Sequence, residues 1–229
     1  MIQIEHISKT YGDQVALSDV SFSIQKSDIV GLLGVNGAGK STLMKILAGG
    51  ILADKGRVTF SGEYILSNPL AIKKRIGYLS EDNPLYEDMY VKEYLEYVAG
   101  IYNVGHDVFR VIEQTGLEKE YKKKIKALSK GNRQRVGIAQ ALVHNPEFLI
   151  LDEATSGLDP NQRESLNALF KELSKDKMIL FSTHILFDVK AICSRVIFLD
   201  KGKLLIDKNI DEIDFIENTF HTLTNENNS

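Results

Sequence analysis

The sequence predicts an α/β fold in which one domain carries an inserted helical lobe. Residues 2–5 and 29–33 are examples of the short apolar or alternating runs, typical of strands, that fill the first third of the chain. Residues 91–143 instead space their apolar side chains as amphipathic helices do. A helical segment at 162–173 then stands between two apolar strands, which is the β-α-β order of a parallel sheet.

The same patterns, taken along the chain, predict the order of its parts. The expected strands are at residues 2–5, 20–24, 29–33, 57–60, 148–151 and 178–181. A short helix is expected at 42–47, and another is expected to end at Leu142. We expect residues 1–80 and 144–209 to form a β subdomain and the α/β core, residues 81–143 the helical lobe, and residues 210–229 a C-terminal helix with a frayed, asparagine-rich tail.

The composition narrows the function classes. The chain has 229 residues, 43% of them hydrophobic, and a net charge of −3, so it lacks the basic field with which nucleic-acid binders neutralise phosphates. Cys193 is the single cysteine, and the chain begins directly with a strand-like segment, so we expect a cytoplasmic protein. No apolar run approaches the roughly 18 residues of a membrane helix. Any membrane role is therefore expected to come through a partner.

A phosphate-binding loop is predicted at residues 34–41, whose sequence is GVNGAGKS. It follows an apolar strand and precedes a helix, which is the context that this pattern requires. The loop glycines let backbone amides turn toward a phosphate, Lys40 can reach the β- and γ-oxygens, and Ser41 can ligate Mg²⁺. The expected contacts of the nucleoside triphosphate are Asn36, Gly37, Gly39, Lys40, Ser41 and Thr42.

A second candidate group is the acidic end of the strand at 148–151. Asp152 and Glu153 follow four apolar residues, as expected where a buried parallel strand reaches the carboxyl edge of its sheet. Asp152 would hold Mg²⁺, usually through a water molecule bound to the ion. Glu153 would act as general base and polarise the water that attacks the γ-phosphate. Alone, this pattern could equally be a solvated strand end, and the phosphate loop favours the catalytic interpretation.

Residues 128–135 read LSKGNRQR and precede the acidic strand by about one helix. Ser129 can cap that helix, and Gly131 permits close approach of the backbone to an anion at its positive end. Here the chain resembles the ABC ATPase superfamily, whose signature is LSGGQ followed by a basic stretch. The resemblance implies that Ser129 and Gly131 face the γ-phosphate held by another subunit. Lys130 and Asn132 depart from the family pattern.

Further landmarks of the family follow in its order, up to about Leu205. Residues 154–159 resemble the loop in which Asp159 senses the neighbouring site, and His184 resembles the switch histidine that bonds the γ-phosphate. Tyr11 resembles the aromatic residue that stacks on adenine. Glu81 stands where the family usually has a glutamine that contacts Mg²⁺. By themselves, His184 could be structural and Tyr11 could be a packing residue.

The resemblance implies a P-loop NTPase (RecA-like) core with an antiparallel β subdomain and an inserted α-helical subdomain. It implies an ATP-binding and ATP-hydrolysing transporter subunit that uses Mg²⁺ and dimerises on ATP, as a homodimer or with a similar subunit. A transmembrane permease on a separate chain would be its partner at the inner face of the membrane, and the drug, sodium or gliding-motility exporters are the nearest type. We expect residues 82–90 either to form a groove for that partner or to be a packed loop.

Two alternatives remain at this point. One is a non-transport ABC ATPase that acts on nucleic acid or chromosomes, although such proteins have two domains in tandem or a long coiled coil, and neither pattern is present. The other is a regulatory ATP switch with decayed hydrolysis, which Glu81, Lys130 and Asn132 favour. Retained Lys40 and Glu153 argue against decay.

Overall fold

Ten strands and seven α-helices make up the computed structural model, which describes residues 1–103, 105 and 107–212. The strands are β1 (Ile2–Tyr11), β2 (Gln14–Ile24), β3 (Ile29–Leu33), β4 (Lys55–Phe60), β5 (Glu63–Tyr64), β6 (Ile76–Leu79), β7 (Phe148–Asp152), β8 (Met178–Ser182), β9 (Arg195–Asp200) and β10 (Lys203–Asn209). The helices are α1 (Lys40–Leu47), α2 (Pro69–Lys73), α3 (Val91–Tyr102), α4 (Val108–Gln114), α5 (Lys130–Leu142), α6 (Pro160–Ser174) and α7 (Leu186–Ile192), with 3-10 turns at Ile125–Ala127 and Ile210–Glu212. The predicted α/β class is confirmed.

The larger sheet has six strands in the order β10-β9-β3-β8-β7-β6. All of its pairs are parallel except that between β10 and β9. Because β3, β8 and β7 are neighbours and run the same way, their carboxyl ends meet at one edge of the sheet. The predicted phosphate loop, Glu153 and His184 lie in the segments that leave this edge.

Strand β3 is buried on both faces, which explains why its sequence is a continuous apolar run. Ile29 and Leu33 belong to a core shared with the helical lobe, whereas Val30 and Leu32 belong to a second core shared with the antiparallel sheet and α1. Strand alternation therefore divides one short segment between two cores and fixes the start of the phosphate loop against both.

The smaller sheet is antiparallel, in the order β2-β1-β4-β5. Strand β1 continues to Tyr11, six residues beyond the strand predicted at 2–5. Register shifts interrupt its pairing with β2, and His6 lies inside the strand with φ 53°. Such bulges break the alternation of apolar and polar residues, so the sequence pattern hides the extension.

The helices α3, α4 and α5 lie within the predicted lobe at 81–143. Ser129 caps α5 as predicted, because its side chain accepts a hydrogen bond from the Asn132 amide at 3.3 Å. Asp159 caps α6 in the same way, through the Gln162 amide at 2.9 Å, and Pro160 occupies the first helical position. These two caps place the signature segment and the loop 154–159 at neighbouring helix starts.

The expected C-terminal helix and tail lie mostly outside the described residues. Ile210–Glu212 form one 3-10 turn, and residues 213–229 belong to the part that is not described. Among residues 1–103, 105 and 107–212, no helix combines the length and apolar character needed to cross a membrane.

Candidate functional site

A cavity of about 790 Å³ lies at the sheet edge where β3, β7 and β8 end. Its walls come from the phosphate loop, the acidic pair, the residue two positions after β8, and the facing ends of β1 and β2. The lining residues are Tyr11, Gln14, Ala16, Gly34, Val35, Asn36, Gly37, Ala38, Gly39, Lys40, Ser41, Thr42, Glu81, Asp152, Glu153, Ser156 and His184. Eleven of the fourteen candidate residues from the sequence are thereby brought together.

The phosphate loop owes its shape to a glycine and a lysine. Gly39 precedes α1 with φ 104°, and a Cβ at this position would overlap the carbonyl oxygen of Ala16. The buried Lys40 side chain donates hydrogen bonds to the carbonyl oxygens of Gly34 at 2.7 Å and Val35 at 3.2 Å. The ammonium is thus held across the loop, at the amino end of α1, where the helix dipole favours an anion.

Burial lowers the pKa of Lys40 from its ordinary value. The carboxylates of Glu153, Asp152 and Glu81 oppose this effect, in that order of strength. A buried cation with several acids in the same cavity suits a polyanionic ligand that arrives together with a metal ion, because both signs of charge then find partners.

The acidic pair is organised by Ser182, the last residue of β8. Ser182 Oγ donates to Asp152 Oδ1 at 2.6 Å and accepts the backbone amide of Glu153 at 2.9 Å. Asp152 is 2% exposed, and Glu153 has φ 51°, a left-handed conformation that costs energy for a residue with a side chain. The turn after β7 therefore sends the two carboxylates in different directions.

His184 completes the group of polar side chains at this edge. Its Nδ1 lies 2.9 Å from Glu153 Oε2, although it is 31 positions farther along the chain. The histidine side chain is 57% exposed, whereas that of Glu153 is 11% exposed. Glu153 is thus sheltered and His184 reaches into the open part of the cavity.

Tyr11 and Glu81 stand at the rim of the same cavity, and both are exposed. Tyr11 ends β1, and the ammonium of Lys9 lies 5.6 Å from the centre of its ring. Its packing is therefore open on one side, which leaves a flat aromatic surface for a planar ligand. Glu81 follows β6 in the loop that leads into the helical lobe.

Ser129, Gly131 and Asp159 do not line the cavity. Ser129 and Asp159 cap α5 and α6, and a Cβ at Gly131 would come 2.6 Å from the side-chain amide carbon of Gln162. Ser129 and Asp159 are exposed at the starts of the two helices, whereas Gly131 is buried against α6.

Lys130, one of the departures from the family signature, lies over Gly157. Gly157 has φ 67°, and a Cβ there would overlap the Lys130 ammonium. The side chain that replaces a family glycine therefore covers the loop 154–159 of its own chain. The other departure, Asn132, donates its backbone amide to Ser129, so its side chain is not needed for the cap.

Several residues of the site carry no motif that could have predicted them. Ser182 is register partner of Asp152 across the parallel pair β7–β8. Gln14 and Ala16 line the cavity because β2 runs beside the phosphate loop. Only Ser182 left a signal in the sequence, as a polar residue that ends an apolar strand.

The donors at this edge fit Mg²⁺, which prefers hydroxyl, carboxylate and phosphate oxygens. Ser41, Asp152, Glu153 and Glu81 line one cavity. Within the described residues, no three His, Cys, Asp or Glu side chains form a cluster that could hold a metal by themselves. Mg²⁺ in nucleotide sites completes its coordination with water and phosphate oxygens, so these side chains need to supply only part of the ligand set.

Known proteins match most of this chain. The family model described as ABC transporter matches residues 17–156. The linearmycin resistance ATP-binding protein LnrL of Bacillus subtilis is 34% identical over 211 residues, which cover 90% of this chain and 68% of LnrL. The lantibiotic transport ATP-binding protein SrtF of Streptococcus pyogenes is 33% identical over 223 residues, which cover 96% of each chain. This chain spans 64% of an ABC transporter ATP-binding protein of Nostoc sp. that is 39% identical.

The fold matches solved structures as well. A dimeric structure of a bacterial ABC transporter cassette is 25% identical, with a TM-score of 0.84 over 92% of this chain and 99% of that one. The relatives, the family match and the geometry of the phosphate cavity agree. The chain belongs to the ABC transporter family and is one of its ATP-binding proteins, an ATPase.

Proposed function

We propose that this chain is the ATP-hydrolysing subunit of a membrane exporter and that it works as an ATP-bound dimer beneath a separate membrane-spanning chain. The observation that supports this most is the arrangement of Lys40, Asp152, Glu153 and His184 around one cavity. A buried cation, a sheltered carboxylate and a histidine at hydrogen-bonding distance are what transfer of a phosphoryl group to water requires.

In this proposal the triphosphate lies along the phosphate loop. Backbone amides around Gly37 and Gly39 surround the β-phosphate, and Lys40 exchanges its carbonyl partners for phosphate oxygens. Thr42 and Asn36 contact the outer phosphates, and Tyr11 stacks on the base. Mg²⁺, held by Ser41, Asp152 and Glu81, would neutralise charge that develops on the phosphate oxygens.

Glu153 is the group that acts on the attacking water. Its carboxylate is sheltered and touches His184, so it can accept a proton while the histidine holds the γ-phosphate. The left-handed conformation of Glu153 fixes where this carboxylate points. Hydrolysis then removes the γ-phosphate that His184 contacts.

The residues outside the cavity support a dimer. Ser129 and Asp159 are exposed at two helix starts, where the positive end of the helix dipole favours an anion. A second copy, or a similar subunit, would place these helix starts over the γ-phosphate of the first. The solved cassette that is described as dimeric has the same fold.

The names of two relatives support the proposed direction of transport. LnrL is named for linearmycin resistance and SrtF for lantibiotic transport, so we infer that this chain energises export of a compound harmful to the cell. It would bind its permease at the inner face of the cell membrane. Tyr86 and Tyr90 are 57% and 48% exposed beside the helical lobe, and they are the surface we assign to that partner.

The proposal is tested with Glu153→Gln, which keeps the shape of the side chain but cannot accept a proton. With ATP and Mg²⁺, this variant should bind nucleotide, hydrolyse it very slowly, and elute as a dimer in size-exclusion chromatography. Adding Ser129→Arg should return it to a monomer, because a long side chain would obstruct the γ-phosphate of the neighbour. A monomeric Glu153→Gln variant with normal turnover would refute both the catalytic role and the dimer.

A further inference from the structure

We propose that Asp188 is a positioning residue for hydrolysis, which holds the loop after Glu153 against the helix after His184. This inference rests on the proposed function, in which Glu153 and His184 act together on water and the γ-phosphate. Asp188 lines no part of the nucleotide cavity, so it would act only through the two residues whose separation it sets.

The central contact is a buried hydrogen bond between Thr155 and Asp188. Thr155 Oγ1 donates to Asp188 Oδ2 at 2.7 Å, and both residues are 0% exposed. Thr155 lies two residues after Glu153, and Asp188 lies four residues after His184, within α7. A short, water-free bond to a carboxylate is among the stronger contacts available in a protein interior.

This bond and the contact between Glu153 and His184 close a ring. One side runs from Glu153 to Thr155, the other from His184 to Asp188, and the two sides touch at 2.9 Å and at 2.7 Å. Glu153 holds a left-handed conformation, which persists only where its surroundings impose it. The Thr155–Asp188 bond restrains the same turn, and neither of its residues lines the cavity.

Helix α6 surrounds the other oxygen of this carboxylate. Asn167 Nδ2 lies 3.4 Å from Asp188 Oδ1, and Arg163 Nε lies 3.8 Å from it. Both distances are long for hydrogen bonds, so Asn167 and Arg163 partly compensate the buried charge but restrain the carboxylate only weakly. Thr155 makes the shortest of the three contacts. The carboxylate thus joins the loop 154–159, α6 and α7 at one point.

A buried charge is a poor way to gain stability, because a well-packed apolar residue often does as well or better. The carboxylate instead orients its partner, because only an acceptor at this point fixes the Thr155 hydroxyl and, with it, the turn that contains Glu153. We therefore expect its loss to affect the rate of hydrolysis more than ATP affinity, because no atom that contacts nucleotide is removed.

Thr155→Val and Thr155→Ser form the matched pair for the test, since valine keeps the volume and loses the donor while serine keeps the donor. Thr155→Val should lower kcat about 10- to 100-fold, as small displacements of catalytic groups do, with Kd for ATP within about twofold of wild type. Thr155→Ser should stay within about twofold in both. Equal losses of kcat in the two variants would overturn the proposal, as would losses of ATP affinity and thermal stability in step with the rate.

A double-mutant cycle gives a readout that a general structural role would not produce. Asp188→Leu, which removes both acceptor oxygens and keeps a branched side chain of similar shape, should lower kcat, and adding Thr155→Val should lower it little further. Losses that multiply in full would reject the link. Glu153→Gln separates the two proposals: if that variant hydrolyses ATP normally, the proposed function fails, whereas normal turnover of Thr155→Val beside an inactive Glu153→Gln removes only the role of Asp188.

Discussion

Ser182 Oγ lies 2.6 Å from Asp152 Oδ1, and the two residues end neighbouring parallel strands as register partners. The same oxygen accepts the backbone amide of Glu153 at 2.9 Å. One buried hydroxyl therefore aims the carboxylate assigned to Mg²⁺ and fixes the backbone of the carboxylate assigned to water.

We expect Ser182→Ala to lower the free energy of unfolding by about 1–3 kcal/mol, because it leaves the Glu153 amide and an Asp152 oxygen short of a partner. The apparent Mg²⁺ affinity with ATP should fall as well. Urea denaturation and Mg²⁺ titration of the ATPase rate measure the two effects. Ser67→Ala is the control: its hydroxyl bonds the Tyr64 carbonyl at 2.7 Å on the exposed surface, and its loss should cost less than about 0.5 kcal/mol.

Lys40→Ala should remove most of the affinity for ATP, since a buried phosphate charge would lose its only loop cation. Truncating one member of a buried, hydrogen-bonded charge pair typically costs about 2–5 kcal/mol of binding free energy. Isothermal titration with ATP measures the loss. Lys45→Ala, which removes an exposed lysine one turn later on α1, should bind like wild type. Unchanged binding in Lys40→Ala would contradict the phosphate-loop assignment.

Glu81→Gln tests whether the glutamate that replaces a family glutamine serves the metal. An ionised oxygen is a better ligand for Mg²⁺ than an amide oxygen, and Glu81 lines the cavity with Asp152. The variant should therefore need more Mg²⁺ for its half-maximal ATPase rate. An unchanged titration, with coupling to the membrane subunit altered instead, would place Glu81 at the partner surface.

The buried hydroxyl of Tyr78 should make the folded protein less stable at alkaline pH. This hydroxyl has no hydrogen-bond partner among the described residues, and burial, with smaller effects of Asp152, Asp82 and Glu81, raises its pKa to about 12. Because the phenol pKa is higher in the folded chain, the unfolded chain releases this proton at a lower pH than the folded chain does. The stabilisation present below pH 10 is therefore lost as the pH rises toward 12.

Tyr78→Phe should flatten that loss between pH 10 and 12. At pH 8 it should be neutral or stabilise by up to about 1 kcal/mol, because it removes an unpaired polar group. Urea unfolding at several pH values measures both effects, with Tyr64→Phe as the control for an exposed phenol on the other sheet. A destabilised Tyr78→Phe variant at pH 8 would show that the hydroxyl has a partner.

The exposed ring of Tyr86 gives the prediction for the membrane partner. It packs edge-on against Tyr94 and Tyr97, at 5.9 Å and 5.8 Å, whereas Leu85 and Met89 pack against the core of the lobe. Tyr86→Glu should reduce co-purification with the permease and leave ATP binding and folding unchanged. Leu70→Glu, at an exposed site on α2, is the control.

Met89 belongs to the packed part of the segment 82–90. This side chain packs against the helical core, so a charge there would destabilise the lobe. Each interpretation of residues 82–90 thus holds for part of the segment. Tyr86 and Tyr90 are exposed, as a partner surface requires, whereas Leu85 and Met89 are packed, as in a loop of the lobe.

The sequence alone determined the fold class, the phosphate loop and the acidic strand end, because each depends on a pattern of residues close together in the chain. A buried strand, a glycine turn and a helix start follow one another at 29–47, and local geometry places Lys40 without help from the rest of the chain. Ser129 was predictable as a cap for the same reason.

Only the tertiary structure decided which distant groups meet those residues. Ser182 reaches Asp152 through the register of two parallel strands, and Asp188 reaches Thr155 through the packing of α7 against the loop after Glu153. Partners 30 and 33 positions apart leave no spacing pattern in the sequence. The side chains that bear the chemistry are therefore local in sequence, whereas the side chains that aim them are set by sheet register and helix packing.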